Sequence, residues 1–252
     1  IGEQQFVFFL QPLLDGRTRK MVSAEALLRW IHPERGQVLP AQFIEYLENS
    51  PMINKVGKII LDKVCAFICS CRARGIMDQH TRIAVNISPR EFHQTHFVKM
   101  VKDLLDKYQL EGSCLELEIT EGAALKHLEE SKDKMRQLKE LGIKFALDDF
   151  GTGYSSLSYL KQLPVDKIKI DKSFIKDITY DPQDAMLVSA IIAIADTLGL
   201  EVVAEGVETE DQADWLFRHG QVQFQGFLFD KALPQAEFES SYLSEGIILP
   251  AK

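Results

Sequence analysis

Asp148-Asp149-Phe150-Gly151-Thr152-Gly153 closes the apolar stretch Ile143 to Leu147, so two adjacent carboxylates and a glycine-rich turn stand where a buried strand ends. Chemistry-bearing residues collect at such strand ends in α/β barrels. The pattern recurs along the chain: other apolar runs stop at Asn86, Glu118, Lys169, Glu205 and Gln225, and Glu25 interrupts another. Seven strand-like segments therefore aim polar groups at one site.

Working outward, short and often β-branched apolar runs predict strands at 6–10, 22–28, 82–87, 114–119, 143–148, 166–170, 201–205 and 222–226. Between most of them, apolar residues three and four apart predict helices at 54–74, 96–109, 124–141, 184–199 and 209–219, several with a Gly stop at Gly75, Gly142, Gly199 or Gly220. Strand–helix–strand repetition implies parallel pairing. The first two strands are the exception: the link Gln11 to Met21, with the turn-like Asp15-Gly16, is too short for a helical crossover and predicts an antiparallel pair. The stretch Ser240 to Lys252 reads as a last helix leading to a tail or a neighbouring domain.

The 252 residues, 46% hydrophobic and 26% charged, suit one domain over 1–252, and a single α/β barrel of about 250 residues is ordinary. Lys plus Arg number 29 against 37 Asp plus Glu, a net charge of −8, which argues against general affinity for DNA, RNA or an anionic membrane surface. The longest unbroken apolar run of the C-terminal half, Ala190 to Ala195, falls far short of the roughly 20 residues a membrane-spanning helix needs. The start Ile-Gly-Glu, without initiator Met or leader, suggests a domain excised from a longer protein. Cys65, Cys69 and Cys71 crowd one predicted helix and Cys114 stands apart. With no His nearby, small packing residues in a reducing cytoplasm explain them better than a thiolate metal site.

Oxygen donors dominate the strand ends: Glu25, Asn86, Glu118, Asp148 and Asp149, with His and Cys missing. Hard ligands favour Mg²⁺ or Mn²⁺ over zinc, and five such groups exceed what one Mg²⁺ that keeps its waters would use. Two ions about 4 Å apart suit phosphodiester hydrolysis. Lys169 lies in Asp166-Lys167-Ile168-Lys169-Ile170-Asp171, where alternation places Lys167, Lys169 and Asp171 on one face. If that face is inward, Lys169 is buried among carboxylates and stays charged, to orient a water or stabilise a transition state. The plainer reading is a salt-bridge partner. Any one of these acids could be a helix cap or a solvated loop charge; the joint pattern is what points to a site. Glu205 follows three apolar residues and precedes Gly206, whereas Glu208 could cap the helix starting near Thr209. The glycine-rich turn could cradle phosphate with backbone N–H groups.

At these residues the chain resembles the EAL family of cyclic di-GMP phosphodiesterases. The likeness runs from Phe8, Leu10-Gln11-Pro12 through Glu25-Ala26-Leu27-Leu28-Arg29-Trp30, Asn86-Ile87-Ser88, Glu118-Ile119-Thr120-Glu121, the Asp148 block, Lys169-Ile170-Asp171 and Ala204-Glu205-Gly206-Val207-Glu208-Thr209 to Gln225-Gly226-Phe227 and Leu233-Pro234. The resemblance implies an α/β fold, a TIM-like (β/α)8 barrel with the first strand antiparallel to the rest, and hydrolysis of the bacterial second messenger cyclic di-GMP to linear 5′-pGpG. It implies Mg²⁺ or Mn²⁺ as cofactor, two ions held by Glu25, Asn86, Glu118, Asp148 and Asp149, with Ca²⁺ inhibitory. Lys169 and Glu205 become the groups that orient or activate the water, the identity of the general base being open. Glu121 becomes the anchor of the loop after its strand, and Gln11, Leu27, Arg29 and Gln225 match nucleotide contacts. A homodimer, an N-terminal sensory or regulatory domain, and a cytoplasmic location, including as the cytoplasmic part of a membrane-anchored protein, are further family expectations. One departure is Gly122, where the family usually has Ser, which implies altered mobility in that loop.

Two rivals remain at this stage. Some domains of this kind bind cyclic di-GMP without cleaving it, although these usually lack part of the acidic set, complete here. Barrels that abstract a proton beside a carboxylate also set acids and a Lys at strand ends, but Arg29 and the paired aspartates favour a phosphate.

Overall fold

Alternation of branched apolar residues with polar strand ends produces nine strands in the computed structural model, which describes residues 3–152 and 157–243. They are β1 (Phe6–Asp15), β2 (Met21–His32), β3 (Gly36–Val38), β4 (Arg82–Asn86), β5 (Leu115–Thr120), β6 (Lys144–Phe150), β7 (Lys167–Ile170), β8 (Glu201–Glu205) and β9 (Val222–Gln225). Neighbours run β1-β9-β8-β7-β6-β5-β4-β2, and β1 pairs back onto β2 to close an eight-stranded barrel. β1 is antiparallel to both β2 and β9, while β2 and β4 to β9 pair in parallel, as the resemblance implied.

All eight expected strands form, but the first hairpin is longer than its sequence suggested. Gln11-Pro12 reads locally as a break, yet β1 continues through Pro12, which lies opposite Ala24 where β1 has no β9 partner. The hairpin rises past the barrel rim, with Phe6 opposite Trp30, and there β2 gains the short β3. The turn works as its residues suggest: the Asp15 carboxylate accepts from the backbone N–H of Arg17 and Thr18.

Helices Met52–Ala73, Phe97–Tyr108, Leu128–Glu140, Pro182–Leu198 and Glu210–His219 wrap the outside. The expected helix 124–141 is split, because His127 takes a left-handed conformation (φ 58°) between Glu121–Leu125 and Leu128–Glu140. Gly220 ends its helix as expected, but in an extended conformation (φ 167°) rather than a left-handed one. Its lack of a side chain instead admits Ile192, whose Cγ2 lies 2.5 Å from where a Cβ would stand. The chain returns over β1 through a Leu10–Leu233 bridge, and Arg74 clamps Glu239 at 2.7 Å. Gly153 of the glycine-rich turn, the Tyr154-Ser155-Ser156 that follows, and the tail from 244 lie outside the described residues.

Outside the barrel the core is apolar, for example Phe8 edge-on to Phe67 at 5.8 Å. Inside it is charged. Glu116, Glu118, Lys167 and Lys169 are each 1% exposed. Cys65, Cys71 and Cys114 are buried and Cys69 half-buried, all free; burial pushes the Cys65 thiol up to about 12. No helix among the described residues is long and apolar enough to cross a membrane.

Candidate active site

Each strand delivers its polar end to the same mouth because inward residues recur every second position along parallel strands. Glu25 of β2 lies opposite Gln11 of β1, Asn86 of β4 beside Glu118 of β5, and Glu205 of β8 beside Gln225 of β9. Lys169 of β7 is the hub. Its Nζ lies 2.6 Å from Glu205 Oε1, 2.7 Å from Glu118 Oε2, 3.2 Å from Asp148 Oδ1 and 3.3 Å from Glu25 Oε2. Gln225 Nε2 donates to Glu25 Oε2 at 2.7 Å and to Gln11 Oε1 at 3.2 Å, and Asn86 Nδ2 donates to Glu25 Oε1.

Asp148 and Asp149 could not both face inward on a regular strand. The β6–β7 register shifts between Leu147 and Phe150, and Asp149 takes a left-handed φ of 53°. This bulge frees the second carboxylate from strict alternation: Asp148 is half-buried at Lys169, and Asp149 is exposed at the rim. Gly206, with φ 69°, turns the backbone directly after Glu205.

The electrostatics follow from burial. Desolvation pushes the Glu118 carboxyl well above the usual range, with the Glu25 charge adding to it and Lys169 opposing. Burial likewise pushes Glu205 up to about 7, against the pull of Lys169. Asp149 is raised by burial and by Asp148. Burial would raise Glu25 too, but Lys169 and the donors Gln225 and Asn86 outweigh it, so its carboxyl falls below the ordinary value. Burial should lower Lys169; the surrounding acids overcome that and raise it well above the usual lysine range.

The nucleotide-contact candidates line an open cavity of about 600 Å³ above this cluster: Gln11, Leu27, Arg29 and Gln225, together with Glu25, Asp148, Lys169 and Glu205. Arg29 rests over the Phe9 ring at 5.3 Å, and its Nε is buried without a hydrogen-bond partner. Four further residues of this cavity, Lys172, Glu208, Phe227 and Lys231, went unread as site residues. Glu208, Phe227 and Lys231 sit on loops and Lys172 opens a five-residue helix, too short for periodicity to mark an inward position; the one available signal was their nearness in sequence to Asp171, Glu205 and Gln225. Glu208 is no helix cap, since Thr209 takes that role in a capping box with Gln212. Asp171 is not inward either: it caps the helix Lys172–Lys176 by accepting from Ser173 N–H. Glu121 opens the short helix Glu121–Leu125, half-buried, and is not among the cavity's lining residues. Gly122 follows it, exposed, with nothing within 4 Å of where a Cβ would point.

The donor set fits a hard divalent cation. Four carboxylates face one ammonium, Glu118 Oε1 is buried without a hydrogen-bond partner, and Asp148 Oδ1 has only its ion pair with Lys169. In this arrangement the acids converge on Lys169 Nζ, and among the described residues no three Asp, Glu, His or Cys side chains form a ready cage for an ion. An ion there would compete with Lys169 for the Asp148 oxygen and could use the unpartnered Glu118 Oε1.

Comparison with known proteins agrees with this geometry. The family profile described as EAL domain matches residues 1–232. The chain belongs to the EAL family. Among relatives of this EAL domain, the signaling protein YkoW of Bacillus subtilis is 40% identical over 245 residues, covering 97% of this chain and 30% of that protein. The bifunctional diguanylate cyclase/cyclic di-GMP phosphodiesterase MucR of Pseudomonas aeruginosa is 40% identical over 241 residues, 96% of this chain and 35% of that protein. The EAL chain thus spans about a third of these relatives' length. The solved PaMucR phosphodiesterase in complex with c-di-GMP superposes with a TM-score of 0.89 at 40% identity, covering 93% of this chain and 94% of that one.

Proposed function

We propose that this EAL domain is a metal-dependent phosphodiesterase that hydrolyses cyclic di-GMP to linear 5′-pGpG. One observation carries the reading: Lys169, a buried cation, is held by four strand-end carboxylates at the floor of a cavity that also contains Arg29. An acid-rich floor repels a phosphodiester unless cations balance it. Relatives and a solved structure about 40% identical are named for cyclic di-GMP hydrolysis or binding, which supports the substrate.

Glu25, Asn86, Glu118, Asp148 and Asp149 would hold two Mg²⁺ or Mn²⁺ ions. When bound, these supply a water acidic enough to react near neutral pH and charge to stabilise the phosphate oxygens. Arg29 binds a phosphate through its fork of donors, and the Phe9 face beneath it restrains the guanidinium. Gln11 and Gln225 bond each other, and Gln225 also fixes the Glu25 carboxylate, so nucleotide contact and ligand orientation share one network. Lys169 donates into the developing charge. Glu205, with its carboxyl near 7, can hold or release a proton at the working pH. Glu121 anchors the loop after β5. The assignment extends to a domain over 1–252 of a longer, regulated, homodimeric signalling protein with its barrel in the cytoplasm.

Incubation of the purified chain with cyclic di-GMP and Mg²⁺ tests this reading. A linear dinucleotide product is expected; nucleotide bound yet intact after long incubation overturns it in favour of a receptor.

A further inference from the structure

Beneath the Lys169 cluster lies a second buried ion pair, on the same two strands and two residues lower. Lys167 Nζ is 2.8 Å from Glu116 Oε1, and neither residue is among those lining the 600 Å³ cavity. The exposed Glu201, at the lower mouth, stands 3.8 Å from the same ammonium. Both tiers use one spacing: Glu116 and Glu118 on β5 face Lys167 and Lys169 on β7. Between them on β6, Ala146 lies beside both Glu118 and Lys167 and presents only a methyl, leaving the barrel centre to the long side chains.

Two residues of strand separate the tiers by about 7 Å, within the swing of a lysine's four-carbon stem. The upper ammonium therefore has a potential competitor below it. Were Glu116 a free buried carboxylate, it would draw the Lys169 ammonium down from Glu205 and Asp148. Were Lys167 a free buried ammonium, it would reach up to Glu118.

We infer that Lys167 and Glu116 are a positioning pair: by satisfying each other they confine Lys169 to the upper acids and keep Lys167 from rising to compete for Glu118. The inference rests on the proposed phosphodiesterase reading for its catalytic consequence. Its structural content is independent. Removing one member shifts the balance in a direction set by which charge is left behind, whereas simple damage to the barrel pushes every variant the same way.

The test uses Lys167→Met, Glu116→Gln and the double variant. Turnover of cyclic di-GMP, Mn²⁺ affinity and, in metal-free protein, the side-chain ¹⁵N resonance of Lys169, assigned through Lys169→Met, are compared. In Lys167→Met the descent of Lys169 should lower kcat at least tenfold, tighten Mn²⁺ at least threefold and move the Lys169 resonance. In Glu116→Gln the freed Lys167 should weaken Mn²⁺ at least threefold. The double variant should return all readouts to within threefold of the parent and restore the resonance. Single variants that both weaken Mn²⁺, a double variant no better than the worse single, or an unmoved resonance overturn the inference. If Lys167→Met does not fold, Glu116→Gln and its rescue by the second substitution decide. Should the parent neither hydrolyse the nucleotide nor bind Mn²⁺, the phosphodiesterase reading fails while the resonance still tests the pair.

Discussion

Replacing Lys169 by Met removes the one ammonium held by Glu25, Glu118, Asp148 and Glu205. Glu118 and Glu25, 1% and 4% exposed, are then left without a cation. Removing one partner of a buried pair costs roughly 3–5 kcal/mol. That cost depends on pH. The Lys169 pKa is raised, so its own contribution is fully present below the ordinary lysine value and constant between pH 5 and 8. Glu118 and Glu205 are raised above 4.5, so the folded state binds more protons than the unfolded one above that value, and stability falls as pH rises toward their folded pKa values. Loss of Lys169 lifts both further and steepens the fall. Urea unfolding in EDTA should therefore show the variant about 3–5 kcal/mol less stable than the parent at pH 8 and only about 1 kcal/mol less stable at pH 5, where the acids accept protons instead. Turnover at saturating substrate should drop on the order of 10²–10³-fold. Equal destabilisation at both pH values, or turnover within threefold of the parent, refutes the view of Lys169 as the charge hub.

Glu25→Ala or Asp148→Ala should abolish hydrolysis while cyclic di-GMP binding, followed by calorimetry, survives through Gln11, Arg29 and Gln225; unchanged turnover removes that residue from the ligand set. Ca²⁺ should compete with Mg²⁺ and inhibit, since it takes the same oxygens with longer bonds and looser geometry; full activity in calcium alone contradicts the ligand assignment. Gly226→Ala would drive a Cβ to 2.0 Å from the Val207 carbonyl oxygen, so denaturant unfolding should show a loss of about 1–3 kcal/mol with the mouth of the barrel displaced. A stability equal to the parent's means Gly226 does not lie against the Val207 carbonyl.

Much of this architecture was legible because a barrel strand writes its rules plainly: an apolar run ending in one polar residue at the mouth. Glu118, Lys169, Glu205 and Gln225 obey that rule, and the structure brings all four to one cluster with Glu25. Asp149 was named for its adjacency to Asp148, but its rim position depends on a bulge that period-two reasoning does not contain. Alternation also misled at Asp171, because β7 ends at Ile170 and the next residue already caps a helix. Lys172, at the start of a one-turn helix, and the loop residues Phe227 and Lys231 carry no periodic signature, and their place in the cavity comes from tertiary packing alone. The continuation of β1 from Gln11 to Asp15 was hidden by Gln11-Pro12, a local break overridden by cross-strand pairing.

The central claim is that Glu25, Asn86, Glu118, Asp148 and Asp149, from four strands, share divalent cations where Lys169 gathers the acids. A crystal grown with cyclic di-GMP and Ca²⁺ measures this directly. The account requires two ions coordinated by Glu25, Asn86, Glu118, Asp148 and Asp149 beside the phosphate; ordered nucleotide over a cluster still closed on Lys169, with no ion between the acids, contradicts it.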